Sequence, residues 1–288
     1  MLVSENIMFV SLNFGLPPQS CKVAADADID PRRLKASAAL YSGKAFAAIK
    51  SDASDIRAQL LRKAIKVPSA FSATYILPAE MTSDVQDYLE RRAESRRDLV
   101  AKFVANDYAA ERDQARIDLN GSFREKDFPP PSAIADYFSM RWSIFTLEIP
   151  QGLPAELRDA EIAKYRENME TVFAECRTVL RATLAKLVSH LADKLKPDAD
   201  GRRKILYATA VDNLTDFLDT INARDITSDA EIREISDQAR RILAPYSLDD
   251  LKTAGYAATV QTELADVKQS IDNLITRDGA RKIDLDLD

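Results

Sequence analysis

Two stretches dominate the hydrophobic pattern of this chain. From Ser83 to Leu119 and from Pro154 to Lys196, apolar residues recur every three to four positions, and neither stretch has an internal glycine or proline. That period predicts a helix over each. At 1.5 Å per residue, each would run roughly 55–65 Å. Between them, Phe138–Ile149 alternates Phe138, Met140, Trp142 and Ile144 with Ser139, Arg141 and Ser143. This is the period of a strand with one covered face, so the four larger residues are expected in a core. Phe145 falls on the opposite face, which predicts cover there too, from a helix or another subunit.

The remaining pattern is shorter-ranged. Ile7–Phe14 is rich in β-branched and aromatic residues and ends at the Gly15–Pro18 breaker, so it reads as a strand. Asp30 before Pro31 suits a helix start. Helical spacing from Leu34 to Ile65 is interrupted near Ser51–Ser54, which predicts two helices there, and Pro68 ends the run. Ala73–Leu77 reads as a third strand. Ser83 and Gln86 fit a capping box at the first long helix. Its inner face carries Val85, Leu89, Leu99, Phe103, Val104 and Tyr108, and the charged run Glu90–Asp98 is expected outside. Asn120–Gly121 stops it, a proline-rich loop follows, and Ser132–Tyr137 suits one helical turn.

The second long helix carries a stripe from Ile162 through Met169, Cys176, Leu184 and Leu191 to Leu195, as a bundle or short coiled coil requires. Pro197–Gly201 ends it. A helix over Arg203–Asn222 would bury Ile205, Leu206, Leu214, Phe217 and Leu218. Ser228 and Glu231 suggest a second capping box before Ile232–Leu243. Ser247 starts another turn that Gly255 can end, Tyr256–Ile275 is the last helix, and Asp284–Asp288 form an acidic tail.

The expected fold is therefore mainly α, an elongated helical bundle with two long helices and a small three-stranded sheet (α+β, helix-dominated). The strands all lie before Pro150. This suggests a strand-containing domain over 1–150 with the long helix 83–119, and an all-helical domain over 151–288 that begins with the long helix 154–196. Only 7 glycines occur in 288 residues, which argues against a β-rich fold and against phosphate-cradling loops. An apolar fraction of 46% supplies a core, and 30% charged residues can solvate long helices.

The net charge of −6 is opposite in sign to that of a typical nucleic-acid binder. Cys21 and Cys176 form no metal-ligand spacing and no disulfide framework, as expected of reduced thiols in a cytoplasmic protein. The apolar N-terminus is broken by Glu5 and lacks a basic leader, and no apolar run approaches the ~18 residues that span a membrane.

Candidate chemistry is sparse. The single histidine, His190, sits on a helix beside Leu187 and Leu191 and suits a structural or solvent-facing role. One histidine excludes paired-His metal sites, and neither a GxxxxGK[ST] loop, a GxGxxG nor a GxSxG elbow is present. Glu161, Glu167, Glu170, Asp212, Asp216 and Asp219 could hold a hard cation if their helices faced one another. Basic pairs occur at Arg91-Arg92, Arg96-Arg97, Arg202-Arg203-Lys204 and Arg240-Arg241, each among acidic neighbours. Solvation of a helix surface explains them, and phosphate contact is the alternative.

The order of elements carries a resemblance over about residues 1–190. A short strand runs into a long charged helix (YILPAEMTSDVQDYLERRAESRRDLVAKF), followed by a Phe/Pro loop (FREKDFPPP) and an aromatic strand (YFSMRWSIFTLEIP). This resembles an uncharacterised helical family of bacterial and phage proteins, a domain of unknown function often encoded beside MoxR-type AAA ATPases and von Willebrand A proteins. The resemblance carries over no catalytic residue. It implies a cytoplasmic, phage- or prophage-encoded protein that acts through partners, an AAA ATPase among them.

These features suggest a non-enzymatic scaffold or adaptor that works by protein–protein assembly, with no cofactor and with self-association as one route. Long amphipathic helices expose stripes that one small domain does not cover. The alternative is nucleic-acid binding through Arg91, Arg92, Arg96 and Arg97 on the first long helix. A carboxylate-metal enzyme is the minor third reading.

Overall fold

Short-range hydrophobic period and long-range pairing together produce a chain that divides into two compact units. One comprises Met1–Val10, Leu61–Thr82 and Ile144–Asp288, and the other Ser11–Leu60 and Ser83–Ser143. A single cut into 1–150 and 151–288 is therefore not the division the fold makes, because residues 61–82 join the C-terminal helices. The computed structural model describes residues 7–23, 36–66, 74–147, 152 and 154–277. The helix start at Asp30–Pro31, the stop at Pro68 and the acidic tail lie outside them.

The strands are β1 (Ile7–Phe14), β2 (Ser20–Lys22), β3 (Ser37–Ala39), β4 (Ile65–Lys66), β5 (Thr74–Pro78) and β6 (Met140–Phe145). The main sheet has four strands in the order β4-β5-β1-β6, and β2 pairs with β3 in a separate ribbon. β4 and β5 run antiparallel with Ile65 opposite Ile76, and in the ribbon Cys21 lies opposite Ala38. The three expected strands are thus present, but the sheet has a fourth. At two or three residues each, β2, β3 and β4 are too short to show a period in sequence. β1 and β6 each contribute residues to both units.

In the first unit, α5 (Ala155–Leu195) runs unbroken for 41 residues, as its stripe predicts. It packs on α6 (Ala208–Arg224) and α9 (Ala254–Arg277), while α7 (Ala230–Leu243) packs on α6 and α9, and α8 (Leu248–Leu251) on α9. Val172, Cys176, Leu184 and Leu191 of α5 are buried against Leu214 and Ile221 of α6 and Val260, Leu264 and Ile271 of α9. Each such aliphatic side chain contributes about 1.5–3 kcal/mol of transfer free energy.

Three helix starts in this unit differ from the sequence pattern. Residues 203–207 are not helical, and Ile205, expected inside, is 68% exposed. The cause is a turn. The Asp198 carboxylate accepts from the backbone N–H groups of Asp200 and Arg202, Gly201 sits at φ +76°, and Pro197 bridges Arg203. The cap of α7 is Asp229 rather than Ser228. Asp229 accepts from the N–H groups of Glu231 and Ile232, while Ser228 takes the left-handed φ of 53°. Ser247 does cap α8, in a capping box with Asp250. Gly255 does not end that turn: it lies in the first turn of α9.

In the second unit, α1 (Lys44–Leu60), α2 (Thr82–Asn106), α3 (Tyr108–Leu119) and α4 (Ile134–Tyr137) enclose an aromatic core. Phe46, Phe103, Tyr108, Phe128 and Phe138 are buried in it, with Phe103 and Phe138 edge to face at 5.7 Å. The helix expected over 83–119 is interrupted at Asp107, whose φ is −117°. The interruption turns Tyr108 into the core, where its hydroxyl donates to the Pro129 carbonyl. So only one helix exceeds 40 residues among those described.

α1 shows the opposite outcome, continuing through Ser51–Ser54 without a break. Ala53 is buried there, and Asp52 is held by arginines of α2. α3 stops as expected, with Asn120 at φ 43°. Its Glu111 reaches the N-terminus of α1 and accepts from the Gly43 N–H at 2.8 Å, a favourable place for a carboxylate. A 3₁₀ turn over Ala79–Met81 leads into α2, so Ser83 lies inside the helix and the expected capping box with Gln86 does not start it. Gly15 closely meets the residues that lead into β6. Its N–H donates to the Ser139 carbonyl, and a Cβ there would come within 2.6 Å of the Tyr137 carbonyl oxygen. Among the described residues no helix is long and apolar enough to cross a membrane.

Two outcomes test this packing. Leu264→Ala removes a fully buried side chain and should lower stability by about 2–5 kcal/mol in urea unfolding. Burial also pushes the Cys176 thiol up to about 12, so its thiolate is scarce at pH 8. Cys176 should resist a thiol reagent in the folded protein and react once urea unfolds it. Rapid labelling of the native protein at Cys176, located by peptide mass mapping, would contradict the packing of α5.

Candidate functional site on the charged face of α2

Helical periodicity divides the arginines of α2 between two faces. Val85, Leu89, Arg92, Arg96, Val100 and Phe103 follow one another at intervals of three or four and share the inner face. Arg91 and Arg97 fall outside that phase and are exposed. The four residues expected to act together are thus brought together only in part.

Arg96 is only 2% exposed. Its Nη1 donates to Asp52 Oδ2 at 2.8 Å and to the Ile49 carbonyl at 2.8 Å. Arg92 pairs with the other oxygen of Asp52. The ring of Phe14 covers the Arg96 guanidinium at 5.1 Å and that of Arg57 at 4.6 Å. Arg96 is consequently a clamp between α2 and α1 and unable to reach a phosphate without unpacking.

The outer face forms something different. Arg91 and Arg97 line an open groove of about 470 Å³ with Asp87, Glu90, Glu94 and Trp142. Trp142 was expected in a core, yet it is half-buried, and its indole Nε1 donates to Gln86 Oε1 at 3.0 Å. Gln86 in turn donates to Glu90 at 2.6 Å. A strand residue and a helix residue 56 positions apart make this site. The period of β6 could not reveal it, because alternation assigns a face and not what lies over it.

Two guanidiniums set against three carboxylates and an indole favour ligands of mixed charge. A nucleic-acid backbone would meet both the three carboxylates and the loss of Arg96. Trp and Arg together are the residues over-represented in the well-packed centres of protein interfaces.

The other candidates are placed as follows. Arg203 donates one N–H to the Leu251 carbonyl and Lys204 pairs with Asp193, while Arg240 donates to the Leu218 carbonyl and pairs with Asp237. His190 is exposed on α5, in a shallow hollow with Lys186, Asp193 and Lys268. Among Glu161, Glu167, Glu170, Asp212, Asp216 and Asp219, Glu161 pairs with Lys164 and Asp216 with Arg62. No three His, Cys, Asp or Glu side chains come together as metal ligands among the described residues.

Comparison with protein-family models, with curated proteins and with solved structures finds no match to this chain.

The clamp gives a prediction. Asp52→Ala leaves Arg96 buried without its carboxylate and should cost about 3–5 kcal/mol. Adding Arg96→Met to that variant should recover most of the loss in urea unfolding, since an apolar side chain needs no counter-charge there.

Proposed function

We propose that this chain is a non-enzymatic helical protein that acts through protein–protein assembly, with the groove between α2 and Trp142 as its contact surface. The observation that carries the reading is the composition of that groove. It presents a half-buried indole and two arginines beside three carboxylates, and a protein surface can match such a mixture residue by residue. The resemblance noted above would make an AAA ATPase the partner to try first.

Nucleic-acid binding is the second reading. Arg91 and Arg97 support it, and Arg96 does not. Trp142 is the only tryptophan, so replacing it biosynthetically with 7-azatryptophan, which absorbs to the red of tryptophan and tyrosine, gives an emission that reports on this groove beside other proteins. Nuclease-treated lysate proteins that bind the chain should shift the Trp142 emission to the blue, and Arg91→Glu with Arg97→Glu should abolish both binding and shift. DNA or RNA at low salt should leave the emission unchanged. A salt-dependent response to nucleic acid, lost in the same variant, would replace assembly with the second reading.

A further inference from the structure

A second groove lies wholly within the first unit. It opens between the C-terminal end of α5, the turn that follows it and α8, with a volume of about 270 Å³. Its floor is apolar: Leu195 and Leu251 are buried, Leu206 is half-buried and Ile205 stands 68% exposed at the edge. Its rim is basic, with Lys194, Arg203, Lys204 and Lys252. Lys204 and Lys252 already pair with Asp193 and Asp249, so the excess positive charge comes from Lys194 and Arg203. An apolar floor inside a basic rim calls for an occupant that alternates apolar and acidic residues.

The chain carries one such segment, residues 283–288, of sequence IDLDLD. We propose that this segment of a second copy of the chain docks in the groove. Its Ile and Leu side chains would meet Ile205, Leu206 and Leu251, and its aspartates would meet Lys194 and Arg203.

Reach excludes the same molecule's own segment. The groove adjoins the N-terminal end of α9, because Leu251 and Lys252 directly precede it. The tail leaves from Arg277, at the far end of a 24-residue helix. That helix is about 36 Å long at 1.5 Å per residue. The six steps from Arg277 to Ile283 span at most about 22 Å. Ile283 therefore cannot enter the groove of its own molecule, so the segment as a whole can seat only in a neighbour's.

The contact differs from the groove at Trp142, so the two readings fail separately. The test is sedimentation of the full chain over a range of concentrations. The wild-type protein should associate, and more weakly as salt rises. Lys194→Glu with Arg203→Glu should weaken association at least tenfold, as should Asp284→Lys with Asp286→Lys. The second pair substitutes no residue of the described core. Mixing the two variants should restore association, because each then supplies the charge the other lacks, and Trp142→Phe should leave it unchanged. A wild-type monomer at all concentrations, or association that neither reversal weakens, would overturn the proposal.

Discussion

A buried guanidinium draws acceptors to itself, and this constraint recurs in both units, although only one nitrogen each of Arg96 and Arg224 is bonded. Taking such a charge out of water costs several kcal/mol unless hydrogen bonds and a counter-charge replace the solvent. In the second unit Arg96 enforces it: Asp52, the Ile49 carbonyl and the Phe14 ring converge on one side chain, fixing α2 against α1. In the first unit Arg181 of α5, 4% exposed, plays the same part. Its Nη2 lies 2.7 Å from Asp229 Oδ2, and the other oxygen of Asp229 caps α7. One carboxylate thus ends a turn, starts a helix and holds that helix to α5. Apolar burial supplies most of the free energy in each unit, but it is not directional. The ion pairs are directional, because each joins one side chain of one helix to one carboxylate of another element.

The turn between α6 and α7 extends the same logic. Asp225 is buried and accepts from the Thr227 N–H and hydroxyl, from the Asp229 N–H and from Arg233 Nε. Every bond made there fixes the backbone that presents Asp229 to Arg181. Arg224 next to it is buried with only one of its nitrogens bonded, to the Leu61 carbonyl, and it stacks on Phe217. Burial pulls its ionisation down to about 10, still well above neutral pH. It ties Leu61 to α6 of the same unit, beside the Arg62–Asp216 pair.

The surface behaves differently because water is available there. Outer-face charges such as Arg91 and Arg97 need no fixed partner, and surface ion pairs add little to stability. Their arrangement around Trp142 is therefore free to serve recognition, and so is the basic rim around Ile205 and Leu206. In both places an apolar group is left partly exposed beside charges that folding does not require.

The sequence by itself determined the elements with many repeats of their period. Forty-one residues of α5, the core stripe of α9 and the strands β1, β5 and β6 follow from hydrophobic spacing, since each repeat reinforces the last. It also determined that Arg92 and Arg96 lie in phase with Leu89, Val100 and Phe103, although a charged run reads first as an outer face. Tertiary structure decided what a local period cannot encode. At the break at Asp107 Tyr108 reaches the Pro129 carbonyl, and where α1 continues through Ser51–Ser54 Asp52 pairs with Arg96. Where the cap lies at Asp229 rather than Ser228, the same carboxylate pairs with Arg181. The groove at Trp142 joins residues 56 positions apart, and only folding brings those together. Periodicity reports which side of an element is covered; the identity of the cover is a long-range property, set by the few polar pairs that must be satisfied once the apolar faces close.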